Sequence, residues 1–125
     1  MPRKDSRARR LVADGCAYGW AVRHGHRVQA GGGCRTTLTL YARPRGAGGL
    51  LRFVFDEGPG RYVAGFTAGS GEVADVGAGA LNLHEPGTVR VLLDAALARG
   101  WQPQERGETR LDGWTFLPAA VAAGR

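Results

Sequence analysis

Arg9-Arg10-Leu11-Val12-Ala13-Asp14-Gly15-Cys16-Ala17-Tyr18-Gly19-Trp20-Ala21-Val22-Arg23 is the stretch whose reading decides the fold. Asp14-Gly15 is a two-residue hairpin signal, because both central positions of a type I′ turn need positive φ. The turn predicts an antiparallel pairing of residues 9–13 with 16–23. Side chains alternate along a strand, so Cys16, Tyr18, Trp20 and Val22 share one face. Ala17, Gly19, Ala21 and Arg23 take the other. In this register Leu11 opposes Tyr18, which makes the aromatic face the core face.

Outward from the hairpin, His24-Gly25 reads as a second turn and Gly31-Gly32-Gly33 as a breaker. Residues 36–43 alternate as a strand, with Leu38 and Leu40 inward and Thr37, Thr39, Tyr41 and Arg43 outward. Residues 50–56 form another, with Leu51, Phe53 and Phe55 on one face and Arg52 on the other. Gly58-Pro59-Gly60 turns the chain into a fifth strand over 61–67, with Tyr62, Ala64 and Phe66 inward. Residues 68–80 read as a long loop of small residues and 80–83 as a short strand.

The helix begins at Pro86, whose missing N–H costs nothing at a first helical position. Val89, Leu92, Leu93, Ala96 and Leu97 make one apolar stripe at helical spacing. Gly100 suits the left-handed closing residue, with Trp101 folding back onto the last turn. A second Asp-Gly pair, Asp112-Gly113, predicts a short final hairpin. Residues 118–125 are Ala-rich and read as a short helix or an end. The expected fold is α+β: an antiparallel sheet of about five strands with one main helix packed on one face. The expected organisation is a basic tail over 1–8, one domain over 9–117 and the Ala-rich end.

The run Tyr18-Gly19-Trp20-Ala21-Val22-Arg23, with Val89-Arg90-Val91-Leu92-Leu93 and Gly100-Trp101-Gln102-Pro103 downstream, resembles a group of small proteins of GC-rich bacteria with no established function. The likeness rests on packing and capping residues across most of 9–116. It implies the fold and carries over no functional residue.

The 125 residues make one domain's worth of chain, and the formal net charge is +6. Sixteen of the 17 basic residues are Arg, and Ala and Gly supply 40 residues, a mark of GC-rich codons. Residues 1–10 hold five basic side chains against one acidic, a net of +4, which leaves +2 for the rest. The basicity is therefore mostly a tail. Composition excludes a collagen-like fibre, a disulfide-dense miniprotein and a fully disordered chain. No apolar run approaches the roughly 20 residues of a membrane helix, and Asp14-Gly15 interrupts any signal-peptide core. The expectation is a cytoplasmic protein with reduced thiols and no membrane partner.

Cys16, His24, His26 and Cys34 have the spacing C-x7-H-x-H-x7-C, and zinc accepts two thiolates and two imidazoles. Zinc knuckles pair their ligands more closely, and Cys16 falls on the core face, where a thiol is a small apolar group. Ordinary cysteines and exposed histidines are the reading preferred, with a Cys16–Cys34 disulfide as the other alternative. No cofactor and no metal are expected. Cys34 beside Arg35, with His84 or His24 as base, offers a thiol nucleophile, but nothing in the sequence fixes them together. Ser6 and Ser70 lie in no nucleophile elbow, and the glycine runs lack a phosphate-loop ending. Ahead of the helix, Glu85 reads as a cap.

The last candidate is a sheet face. By alternation Arg23, Tyr41, Arg43, Arg52 and Arg61 share the side opposite the helix, a basic surface with one aromatic. Arg and Tyr are favoured anchors of protein interfaces. The sequence therefore points to a small non-catalytic interaction protein that recognises a protein partner, of the immunity or antitoxin kind by analogy of size. Nucleic-acid binding through the tail and this face is the alternative, and a zinc- or thiol-dependent enzyme comes third. A homodimer stays open.

Overall fold

The computed structural model describes residues 8–26, 33–44, 46–63 and 71–123. The expected tail (1–7 of it), the glycine breaker up to Gly32, and residues 64–67 of the expected fifth strand lie outside them. Strands β1 (Arg9–Ala13), β2 (Cys16–His26), β3 (Cys34–Ala42) and β4 (Gly49–Asp56) come first. β5 (Arg61–Val63), β6 (Glu72–Asp75) and β7 (Gly79–Asn82) follow, then helix α1 (Pro86–Ala98), strand β8 (Gly107–Asp112) and helix α2 (Gly113–Ala123).

The first hairpin forms as its turn residues dictate. Asp14 and Gly15 have φ of 52° and 82°, and Leu11 pairs with Tyr18. β2 runs through His24-Gly25 without turning, because β3 pairs along its whole outer half down to His26↔Cys34. The large sheet has the order β1-β2-β3-β4-β8. Its first four strands are an antiparallel meander, but β8 lies parallel to β4. A wholly antiparallel sheet is thus corrected to a mixed one. The expected fifth strand of that sheet is also reassigned. β5 pairs with β6, and β6 with β7, in a separate three-stranded sheet.

Strand alternation sorts the large sheet into two faces. Tyr18, Trp20, Leu38, Leu40, Leu51, Phe53 and Phe55 are buried on the inner one. Both helices and the small sheet pack there: Val63, Val73, Leu83, Leu92, Leu93 and Leu117 join the same core. The expected single helix on one face is therefore an incomplete description. Arg9 ties β1 to this inner layer, stacking 5.0 Å from the Trp20 ring centroid and donating to the His84 carbonyl at 3.0 Å.

α1 ends as its sequence requires. Gly100 has φ of 106°, its N–H reaches the Leu97 carbonyl, and the Trp101 N–H reaches that of Ala96, each at 3.0 Å. Trp101 then packs 6.4 Å from the Tyr18 ring. At the other end Glu85 occupies the N-cap position, but its side chain makes no capping bond. Glutamate is absent from the favoured caps because its longer stem does not present an oxygen to the first turn as Asp, Ser or Asn does.

Asp112-Gly113 is not a hairpin turn. Asp112 ends β8 and its carboxylate accepts the Trp114 N–H at 3.1 Å, the geometry of an N-cap for α2. Gly113 is required for a different reason: the Phe55 ring fills the space a Cβ would take. α2 then runs through the Ala-rich end to Ala123, with Ala120 buried. Two substitutions check these assignments by urea unfolding. Leu93→Ala, which empties a fully buried site, should cost about 2–5 kcal/mol. Asp112→Ala, which removes only the α2 cap, should cost about 1 kcal/mol.

Candidate functional site

The outer face of the large sheet carries no second layer among the described residues. Its side chains follow from register: Arg10 and Val12 on β1, then Ala17, Gly19, Ala21 and Arg23 on β2. Thr37, Thr39 and Tyr41 continue it on β3, Leu50, Arg52 and Val54 on β4, and Glu108 and Arg110 on β8. Three of the five expected residues stand there in distinct states. Arg23 is exposed, opposite Thr37, and has no ion pair among the described residues. Arg52 is held: its Nε lies 3.1 Å from Glu108 Oε2 and its Nη1 donates to Thr39 Oγ1 at 3.2 Å. Tyr41 is only 8% exposed, because its ring lies across Gly19, where any Cβ would collide with it. Arg43 is exposed just past the end of β3.

Arg61 is not on this face. It belongs to β5 in the small sheet, so the expected quintet does not share one surface. Its Nε donates to Asp75 Oδ2 at 3.0 Å, and its guanidinium sits 5.4 Å from the Trp114 ring centroid. The Arg61 bond, with help from the Gly77 N–H, holds the Asp75 carboxyl below its ordinary pKa.

The proposed ligand set does not converge. Cys16 is exposed at the hairpin end of β2, which corrects its assignment to the core. His26 is at the opposite end of the same strand, ten rises or about 33 Å away. Cys34 pairs with His26, so it is equally remote from Cys16. A disulfide needs Cα atoms within about 7 Å, and neither Cys16 nor Cys34 is in one. His24 stands opposite Thr36 and lies 3.3 Å from its hydroxyl. His84 sits against Gly71, and its carbonyl accepts from Arg9. Among the described residues no three of His, Cys, Asp and Glu gather as a metal site.

Sequence reasoning missed a cleft of about 530 Å³ at the carboxyl ends of β4 and β8. Two parallel strands end there side by side and their continuations diverge, β4 into the Gly58-Pro59 turn and β8 into α2. Arg35, Arg61 and Arg110 line it, with Asp56, Asp112 and Trp114. Asp56 takes Arg35 in a two-pronged pair at 2.6 and 3.1 Å, which raises the Arg35 pKa. The Trp114 indole donates to the Asp56 carbonyl at 2.9 Å. The one local signal was Asp112 ahead of Trp114, Leu117, Ala120 and Val121, a helix start hidden behind a turn dipeptide.

No family model, no curated protein and no solved structure matches the chain. None of the described helices is long and apolar enough to cross a membrane.

Two measurements check this geometry. Mild oxidation should leave both thiols unpaired within the chain, with Cys16 reacting first with a thiol reagent. Asp75→Asn should lower the urea midpoint at pH 7, because its ionised form is the one Arg61 binds. A depressed carboxyl stabilises the fold above its unfolded pKa of 3.8, and that contribution is lost as pH falls through the folded value. The gap between the two proteins should therefore narrow as pH falls below that unfolded value.

Proposed function

We propose that this protein is a non-catalytic interaction module that docks an acidic surface of a partner protein on the outer face of its five-stranded sheet. The observation that carries the reading is that this face, uncovered among the described residues, is basic and partly uncommitted. Arg10 and Arg23 are exposed there without an ion pair among the described residues. They flank a floor of small side chains, Ala17, Ala21, Thr37 and Thr39, on which a partner's backbone can come close.

Charge and size both suit a protein. Five strands at about 4.8 Å spacing, averaging about eight residues, give about 500 Å² of floor. With its rim the face approaches the roughly 800 Å² that each partner gives to a standard interface. Stacking of nucleic-acid bases needs exposed aromatic rings, and Tyr41 spends its ring on Gly19. Arg52 adds a guanidinium already oriented by Glu108 and Thr39, which lowers the entropy lost on docking.

The test is a comparative capture from extract of the source organism with the full chain. One variant carries Arg10→Glu with Arg23→Glu, and a control carries Ala119→Glu at an exposed position of α2. One protein should be held by the native chain and the control, released by salt and lost from the double variant. Capture that survives the charge reversal, or recovery of nucleic acid in its place, overturns the reading.

A further inference from the structure

The cleft at the ends of β4 and β8 has no part in that docking face's argument, and its volume of about 530 Å³ falls within the range of small-molecule sites. Its lining holds three arginines and three carboxylates, so formal charge alone does not choose a ligand. Hydrogen-bond capacity does. Each carboxylate is already engaged within the protein. Asp56 grips Arg35 with both oxygens. Asp112 accepts the Trp114 N–H and the Thr115 hydroxyl. Glu57 accepts the Cys34 N–H at 3.2 Å.

The arginines differ. Arg61 gives only its Nε to Asp75, and Arg110 only its Nε to Glu108 at 3.3 Å. Both terminal nitrogens of each guanidinium, with two N–H bonds apiece, have no protein partner among the described residues. Glu108 Oε2 is also shared between Arg110 and Arg52, one anion between two cations. Arg61 is held twice, by Asp75 and by the face of Trp114. A guanidinium fixed at its Nε edge presents its remaining fork at little entropic cost. Val54 and Pro59 add an apolar wall beside these donors.

We infer that this cleft binds a small organic oxyanion, a phosphate or carboxylate, gripped by the terminal nitrogens of Arg61 and Arg110 with its apolar body against Val54 and Pro59. Phosphate and carboxylate share the planar or near-planar pair of oxygens that a guanidinium fork meets.

The chain holds three tryptophans, so nitrogen-15 spectra show three indole N–H signals, and that of Trp114 reports from the cleft wall. The full chain is titrated separately with inorganic phosphate, phenyl phosphate and benzoate, at constant ionic strength set with chloride. An organic probe should move the Trp114 signal saturably, with a Kd of about 1 mM or tighter, while Trp20 and Trp101 stay still. The tighter of the two organic probes assigns the oxyanion. Arg110→Gln, at a side chain 56% exposed, should keep the native spectrum and weaken binding about tenfold. Arg61→Lys keeps the charge and loses the fork, and should weaken it similarly. Absence of saturable movement with all three probes overturns the inference, as does an unchanged Kd in both variants.

Discussion

The tertiary arrangement depends on the seat of Trp114. Its indole donates to the Asp56 carbonyl, its ring packs against Phe55 edge-to-face at 5.1 Å, and the Arg61 guanidinium lies 5.4 Å from its centroid. The neighbouring strands β4 and β5 and the distant helix α2 are thereby fastened at one residue that is 5% exposed. The neighbouring Gly113 lets Phe55 approach α2 closely, and Phe53 against Phe116, at 5.2 Å and nearly perpendicular, continues the contact along the helix. Edge-to-face rings add roughly 0.5–1.5 kcal/mol each beyond the area they bury. Because the joint stands where β4 and β8 both end, it fixes the cleft as well as the core.

The two faces of the large sheet divide the work. The inner one is filled by aromatic and leucine side chains and does no chemistry that the structure displays. On the outer one, small residues and threonines keep the surface low, and carboxylates hold selected arginines in place. Asp56 and Glu108 each take an arginine by its Nε. Such exposed pairs add little to stability, typically under about 1 kcal/mol. Their effect is on orientation, since a guanidinium bound on one edge keeps the other for something else.

What the sequence made legible was local. The Asp14-Gly15 turn, the Leu11–Tyr18 register, the α1 stripe and the Gly100-Trp101 closure each depend on residues within a few positions of one another. The errors came where a distant partner decided. Nothing in Gly107–Asp112 says that it will lie parallel to β4. Asp112-Gly113 satisfies a turn and a helix cap equally well until Phe55 is placed against the glycine. The alternation of the fifth strand is inverted, since Tyr62, expected inward, is 56% exposed and Val63 is buried; membership of a sheet is a pairing property as well, and β6 was masked by its small residues. The same limit hid the cleft, which draws on residues from 35 to 114. Alternation did place Arg23 and Arg52 correctly and gave Tyr41 the right face, but it could not show that Tyr41 would be consumed by Gly19.

β8 joins β4 only after residues 57–106 have been threaded through the small sheet and α1. The first four strands need no such detour, since each pairs with the next in the chain. Closing a long connection costs entropy that grows only with the logarithm of its length, about 0.6 kcal/mol per doubling. The folding rate is more sensitive, because non-local pairing must be reached before it is rewarded. The loops of that segment, unlike its core-forming strands and helix, are therefore where evolution can lengthen this chain at little thermodynamic expense, with the penalty appearing as time spent searching for the last strand.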